Sequence, residues 1–283
     1  MHENVNSSQN GLLPPAIRYN RMIIARRQHG TGEWLLKASD YLDWRAGMQS
    51  TLLCPGIPGA GKTMMVSIII DDLWKQFEAH NDIAVVYLYC SFKRQQEQRL
   101  VDLLATLVRQ LFQERSHLPG TVRSMYQRHV SRNTRPSIDE LRDVLRSLTG
   151  TYSRVFFVVD ALDECTNLDR TCDVLLAELF QLQALSKDSM AILATSRFIP
   201  EILDQFRNAT RLEIRASEED VGRYLDGQMP RLASCVMRRA ELKEKIKIKI
   251  IESVDGMYAM DFLLIRRWQA DIFMQVSLGA TSL

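Results

Sequence analysis

The chain has 283 residues, 46% hydrophobic and 25% charged, with 36 Lys and Arg against 34 Asp and Glu for a net charge of +2. Such a composition suits a globular protein with a sizeable core, and so even a charge balance argues against nucleic acid or an anionic membrane as the main partner. Five scattered cysteines (Cys54, Cys90, Cys165, Cys172, Cys235) and five histidines show neither a Cys-x-x-Cys pair nor zinc-ligand spacing, which excludes a zinc-finger reading and suits reduced thiols.

The first ten residues are polar and lack a signal-peptide core, and no run reaches the roughly 20 apolar residues of a bilayer span, so a soluble, cytoplasmic protein is expected. Residues 1–15 read as a loose leader ending in Pro14-Pro15. Residues 17–44 carry Trp34, Leu35, Leu36, Tyr41, Leu42 and Trp44 at near-helical spacing and read as packed helix. Thr51 to Cys54 is a short apolar run fit for a buried strand, and Met64 to Phe77 an apolar helix. Ile83 to Cys90, rich in β-branched and aromatic residues, predicts a second strand. Leu100 to Phe112 repeats Leu and Val at i, i+3, i+4, the mark of a helix with a buried face. Residues 117–136 contain Pro119-Gly120 and many basic side chains, and read in part as a loop with a solvated face. Ser137, with Glu140 three residues on, is a capping-box start for a helix to Leu148 that Gly150 ends.

Arg154 to Asp160 has no polar side chain between its ends, as in strands covered on both faces of a parallel sheet. A helix at Val174 to Leu185, a strand at Ala191 to Thr195 and a short strand at Arg211 to Ile214 complete an alternation that indicates a doubly wound α/β sheet of five parallel strands, with helices on both faces. Helices follow at Glu218 to Met229 and about Ala240 to Val254. The Lys-Ile alternation of 245–250 also suits an edge strand, but Leu242, Ile246, Ile250 and Val254 at i, i+4 favour helix. The expected domains are a leader and helix at 1–29, a nucleotide-binding core at 30–215, and a helical region with a shortened tail at 216–283.

Within this frame, Gly56, Ile57, Pro58, Gly59, Ala60, Gly61, Lys62 and Thr63 spell a complete Gly-x-x-x-x-Gly-Lys-Thr phosphate loop, or Walker A motif. Its glycines let successive backbone N–H groups face a polyphosphate, and Met64 continues it into a helix whose N-terminus favours an anion. Lys62 is expected on the β- and γ-phosphates and Thr63 on Mg²⁺. Asp160-Ala-Leu-Asp163-Glu164 ends the third strand at the sheet edge where ligands of open parallel sheets bind. Asp160 is therefore expected on the same Mg²⁺ as Thr63, a Walker B arrangement. Glu164 is expected to orient and deprotonate an attacking water, with Asp163 sharing that role or lying behind the metal. Thr195-Ser196-Arg197 ends the fourth strand at that edge, where Arg197 would sense the γ-phosphate and stabilise transition-state charge. An Asn-Lys-x-Asp guanine-reading element is absent, so ATP is preferred and GTP stays open. The basic residues Arg123, Arg128, Arg132 and Arg135 are candidates for an arginine acting in trans, though a solvated loop explains them equally well.

These residues resemble the NACHT division of the STAND NTPases, in the form found in fungal NOD-like and ankyrin-repeat proteins with a nephrocystin-3-like N-terminal domain. The resemblance runs over about residues 30–258 and is carried by Gly32-Glu-Trp-Leu-Leu36 with Trp44, the phosphate loop, Phe156 to Cys165, Ala194-Thr-Ser-Arg197 and Leu212 to Ala216. Its most specific feature is the small residue after Asp160, followed by a hydrophobe and Asp-Glu. The resemblance implies a switch that is closed with ADP, opens and self-associates with ATP, and uses slow Mg²⁺-dependent hydrolysis as a timer. It implies effector proteins of unknown identity and signalling of the innate-immunity or fungal-incompatibility kind. It also implies that Thr31 and Gly32 lie near the base or ribose. After Tyr258 the pattern fades, and neither an effector region, a repeat array nor a winged-helix histidine can be assigned. An active AAA+-like ATPase and a nucleotide-binding remnant that does not switch are the alternative readings.

Overall fold

Runs such as Val155 to Val159 and Ala191 to Ala194 offer no polar side chain to water, so the strands they form must be covered above and below. A computed structural model shows how this is done. It describes residues 15–47, 50–113, 120–165, 170–186 and 189–228, together with 241, 244, 245, 247 and 248. Their elements in chain order are α1 (Pro15–Ile24), α2 (Glu33–Lys37), α3 (Ser39–Ala46), β1 (Thr51–Pro55), α4 (Lys62–Phe77), β2 (Ile83–Tyr89), a 3-10 turn at Phe92–Glu97, α5 (Leu100–Gln113), α6 (Gly120–Arg132) and α7 (Ile138–Thr149). There follow β3 (Arg154–Asp160), a 3-10 turn at Leu162–Glu164, α8 (Thr171–Leu185), β4 (Met190–Ser196), α9 (Pro200–Gln205), β5 (Thr210–Arg211) and α10 (Glu218–Gln228).

The five strands form one sheet in the order β2-β3-β4-β1-β5, and every pair is parallel. Register sets Tyr89 beside Asp160, Val159 beside Ala194, and Cys54 beside Thr195. The C-terminal ends of four strands are thereby level, so the loops that leave β1, β2, β3 and β4 emerge at one edge. One sheet face, with Leu53, Val86, Leu88, Phe157, Val159 and Ile192, joins a core with Leu104, Leu107, Leu145, Leu148, Leu175 and Leu179 of α5, α7 and α8. On the other, α4 packs against β2, β3 and β4, and α1 and α2 pack on α4 in turn. Covered on both sides, α4 buries Met65 to Ile70 without a break. Trp44 is wholly buried, lies edge-on to Phe156 with ring centres 5.2 Å apart, and donates its indole N–H to the Ile192 carbonyl at 3.0 Å.

By its contacts the chain divides into two units. The first holds Met1–Arg27, Gly32–Gly56 and Lys62–Glu213, hence the whole sheet; the second holds Gln28–Thr31, Ile57–Gly61 and Ile214–Leu283, including α10. In the second unit Arg223 donates to the Gly30 carbonyl, joining the short 28–31 segment to α10.

Two expectations change and a third holds where it can be followed. The basic stretch read in part as loop is the 13-residue helix α6, anchored through Val122 and Met125, with its other face in solvent as expected. The fifth strand is only the two residues Thr210 and Arg211; Ile214 is buried but stands outside it. Residues 241, 244, 245, 247 and 248 are helical, as the i, i+4 spacing favoured over an edge strand, and the tail from 249 onward lies outside the described residues.

The capping box at α7 forms as the sequence spells it: Ser137 Oγ accepts from the Glu140 N–H at 3.2 Å, and Glu140 Oε2 accepts from the Ser137 N–H at 2.9 Å. Ser137→Ala should destabilise the protein by about 1 kcal/mol. Urea unfolding should show a lower midpoint at an unchanged slope; an unchanged midpoint would mean that the cap contributes nothing.

Candidate functional site

β1 ends at Pro55, and the next amide, Gly56 N–H, donates to the Ser196 carbonyl at 3.0 Å, which locks the ends of β1 and β4 together. Gly59 (φ +78°) and Gly61 (φ +84°) then take left-handed conformations that a side chain would strain, and Ala60 N–H closes a turn on the Ile57 carbonyl. Lys62 opens α4, and its ammonium donates to the Gly56 carbonyl at 2.8 Å. Burial holds Lys62 below its ordinary value, while Asp163, Asp160 and, more weakly, Glu164 pull it back up. Met64 is half-buried in the first turn of α4, its carbonyl accepting from Ser67 Oγ at 2.7 Å.

Asp160 ends β3 with its side chain buried. Thr195 Oγ, from the neighbouring strand, donates to Asp160 Oδ1 at 2.6 Å and accepts from the Ala161 N–H at 2.9 Å. The Thr63 side chain, in the first turn of α4, also favours the charged form of the carboxylate. Ala161 is left-handed (φ +53°), and this abrupt turn directs the chain into the Leu162–Glu164 turn. The two acids of that turn part company. Asp163, only 3% exposed, accepts from the Arg197 N–H at 3.0 Å and from Arg197 Nε at 2.5 Å, so both its oxygens are engaged. Glu164 Oε2 instead accepts from the Phe92 N–H at 3.2 Å.

Gly56, Lys62, Thr63, Asp160, Asp163, Glu164 and Arg197 thus belong to one unit and to one edge of its sheet. Thr31 and Gly32 are held by local turn and packing contacts. Thr31 closes a turn on the Gln28 carbonyl through both its N–H (3.1 Å) and its hydroxyl (2.8 Å). Gly32 (φ +76°) lies so close to α4 that a Cβ would stand 2.6 Å from Ile68 Cδ1 and 2.9 Å from Met65 Sδ. Sequence reasoning did not single out Thr195 as the partner of Asp160, nor Phe92 at all. For Thr195 the signal was a hydroxyl at the end of an apolar strand; a backbone donor such as the Phe92 amide leaves none.

Among the described residues no group of three or more His, Cys, Asp or Glu side chains can hold a metal by itself. One buried carboxylate beside one hydroxyl is nevertheless a donor set that suits Mg²⁺, which takes few protein ligands and completes its shell with phosphate and water. A cation there would also offset the burial of the Asp160 charge. No described helix is long and apolar enough to cross a membrane.

Comparison with known proteins bears on the family and the fold. The family model described as "Nephrocystin 3, N-terminal" matches residues 30–197. A curated relative, the vegetative incompatibility protein HET-E-1 of Podospora anserina, is 24% identical over 239 residues, covering 80% of this chain and 17% of that protein. The chain therefore spans about a sixth of the length of that relative. Among solved structures, Drosophila ORC bound to DNA aligns with a TM-score of 0.51 and 13% identity over 98% of this chain and 65% of the other. A Walker-type ATPase of Pyrococcus abyssi aligns with a TM-score of 0.51 and 11% identity over 92% and 78%. At these identities the structural likeness speaks for the fold alone.

Burial pushes the Asp160 carboxyl up to about 6, although Thr195, Thr63 and Lys62 all pull it down. The stability that comes from burying the neutral acid is present below about pH 4 and is lost as pH rises through about 6. Asp160→Asn is neutral throughout. Between pH 4 and 7 the nucleotide- and metal-free wild type should lose up to about 3 kcal/mol relative to that variant in urea unfolding; parallel pH profiles would contradict the assignment.

Proposed function

Because the chain belongs to the nephrocystin 3 N-terminal family and carries its NACHT-like P-loop NTPase domain, we propose that it is a signalling switch that binds Mg²⁺ and ATP at this sheet edge and hydrolyses ATP slowly. The observation that carries the reading is the convergence of Lys62, Thr63, Asp160 and Thr195 at the ends of β3 and β4 and the start of α4. Such a constellation has an evident use: to hold a metal-bound polyphosphate.

In this reading the backbone N–H groups of Gly56, Ile57, Gly59, Ala60 and Gly61 take the phosphate oxygens, and Lys62 moves from the Gly56 carbonyl onto the β- and γ-phosphates. Thr63 and Asp160 are the residues that would hold Mg²⁺, which when bound supplies charge to the phosphoryl oxygens. Thr195 fixes the Asp160 carboxylate and keeps one of its oxygens turned toward β4. Glu164 orients and deprotonates the attacking water, a contribution typically of about 10²–10⁴-fold. Arg197 stabilises charge that develops on the γ-phosphoryl group, and Asp163 is its anchor, not a second base. Gly32 packs against Met65, within one turn of Thr63, which supports a place for it and Thr31 near the ribose. ATP is favoured over GTP by the missing guanine-reading element.

The signalling role, nucleotide-controlled self-association through the core and unknown effectors rest on the resemblance to NACHT switches and on a relative whose name is that of an incompatibility protein. Chromatography with ATP against ADP tests this part: assembly favoured by ATP supports a switch, and no change favours the non-switching remnant. A brisk, partner-stimulated turnover would favour the AAA+-like ATPase instead.

Two sets of variants test the site. By calorimetry Lys62→Ala should lower ATP affinity by at least about 100-fold, and Glu164→Gln should bind ATP as wild type while losing about 100-fold in turnover. A wild-type protein that releases no heat with any purine triphosphate would overturn the proposal. Asp163→Asn, which weakens the hold on Arg197, should lower kcat about tenfold and leave the KM for ATP unchanged. A fall in affinity with kcat intact would place Asp163 in ground-state binding instead.

A further inference from the structure

Glu164 is placed by a contact that runs away from Lys62 and the start of α4. In the order β2-β3-β4-β1-β5 the phosphate loop leaves β1, whereas the turn bearing Phe92 leaves β2, on the opposite side of β3. Strands lie about 4.8 Å apart, so a side chain at the end of β3 that reaches toward β2 increases its distance from Lys62, two strands away in the other direction. Glu164 makes that reach, accepting the Phe92 N–H. Of the three carboxylates acting on Lys62, Asp163 has the strongest hold and Glu164 the weakest.

The donor is itself held firmly. Gln98, a buried amide, clips the turn from below: its Oε1 accepts from the Ser91 N–H at 2.9 Å and its Nε2 donates to the Tyr89 carbonyl at 2.8 Å. Cys90 N–H continues the ladder to the Asp160 carbonyl at 3.1 Å, which ties the end of β2 to the residue that begins the acidic turn. Arg94 lies over the Tyr19 ring, 5.3 Å from its centre, and donates to the Tyr89 carbonyl at 3.4 Å. The Phe92 ring, in contrast, is 71% exposed, so the residue contributes its backbone and not its side chain to this arrangement.

We propose that the Phe92 amide is a tether that parks the Glu164 carboxylate on the β2 side, away from the attacking position, and that displacement of the 91–94 turn releases it and sets the hydrolysis rate. The inference rests on the role given to Glu164 above. Phe92 is on this account a positioning residue that acts through one backbone hydrogen bond. Any ligand or partner that shifts the turn changes turnover without touching the nucleotide.

The test uses a substitution that deletes only the donor. Phe92→Pro removes the N–H, and proline suits the first position of a helical turn; Phe92→Ala keeps the N–H and removes the exposed ring. Steady-state ATP hydrolysis should show kcat raised about three- to tenfold in Phe92→Pro with KM unchanged. Phe92→Ala should keep the wild-type kcat, and Phe92→Pro combined with Glu164→Gln should be as slow as Glu164→Gln alone. Gln98→Ala, which keeps the amide but frees its turn, should raise kcat in the same sense. A folded Phe92→Pro protein that binds ATP normally and hydrolyses it no faster than wild type overturns the tether, as does an equal rise in Phe92→Ala. Should Phe92→Pro fail to fold, an unchanged kcat in Gln98→Ala overturns it instead. Normal turnover in Glu164→Gln sinks the functional reading and the tether together; slow turnover there with no gain from the turn variants sinks the tether alone.

Discussion

A carboxylate buried at the end of a strand is the constraint on which the rest of this structure depends. An ion taken out of water costs several kcal/mol even after relaxation, so Asp160 can remain ionised only if polar partners reach it from every direction the sheet leaves open. Those partners are few and fixed. Thr195 hydrogen-bonds it from β4, and Thr63 and Lys62 favour its charge from the first turn of α4. For α4 to begin there, β1 must lie near β3 without displacing β4, which supplies the threonine. The order β3-β4-β1 meets both needs, and the register that sets Val159 beside Ala194 brings Asp160 and Thr195 level. Topology and site chemistry are thus one requirement viewed at two scales.

The apolar strands impose the complementary constraint. With helices on both faces, neither face of the sheet is available for polar chemistry, and only its edges are. Parallel strands end together, so the loops after β1, β2, β3 and β4 share one edge and their polar residues meet although they lie far apart in the chain. Asp160 and Thr195 are 35 residues apart, Asp163 and Arg197 34, and Phe92 and Glu164 72.

Those separations explain what the sequence showed and what it hid. The phosphate loop was legible because its chemistry is contiguous: glycines, lysine and threonine act within one turn of chain. Asp160 was legible because it is the first acid to close an otherwise apolar run, and Ser137 with Glu140 because a capping box is local. Partnerships across strands were not legible, since register is written in no single segment; the pairing of Asp163 with Arg197 is one of them. Helix α6 was partly missed because two buried residues, Val122 and Met125, give too weak a period to set against Pro119-Gly120 and a run of solvated cations. Gly32 shows a different ambiguity. A glycine beside a ligand and a glycine beside a packed helix look alike in sequence, and here the close approach to Met65 and Ile68 accounts for the missing side chain.

The small residue after Asp160 joins these threads. A left-handed alanine costs about 1–2 kcal/mol, and a β-branched residue would cost more. The cost is offset locally, because the Ala161 N–H bonds Thr195 and its carbonyl accepts the Glu164 N–H at 2.8 Å. The conformation turns the chain so sharply that two successive acids face opposite neighbours. Asp163 goes back toward β4, nearly inaccessible and doubly bonded to Arg197; Glu164 goes outward toward β2 on a single longer bond. Two bonds on a buried carboxylate make an anchor, whereas one bond at an exposed amide can be exchanged for another at small cost. Adjacent acids of identical charge are separated by this turn into one that stays and one that is able to move.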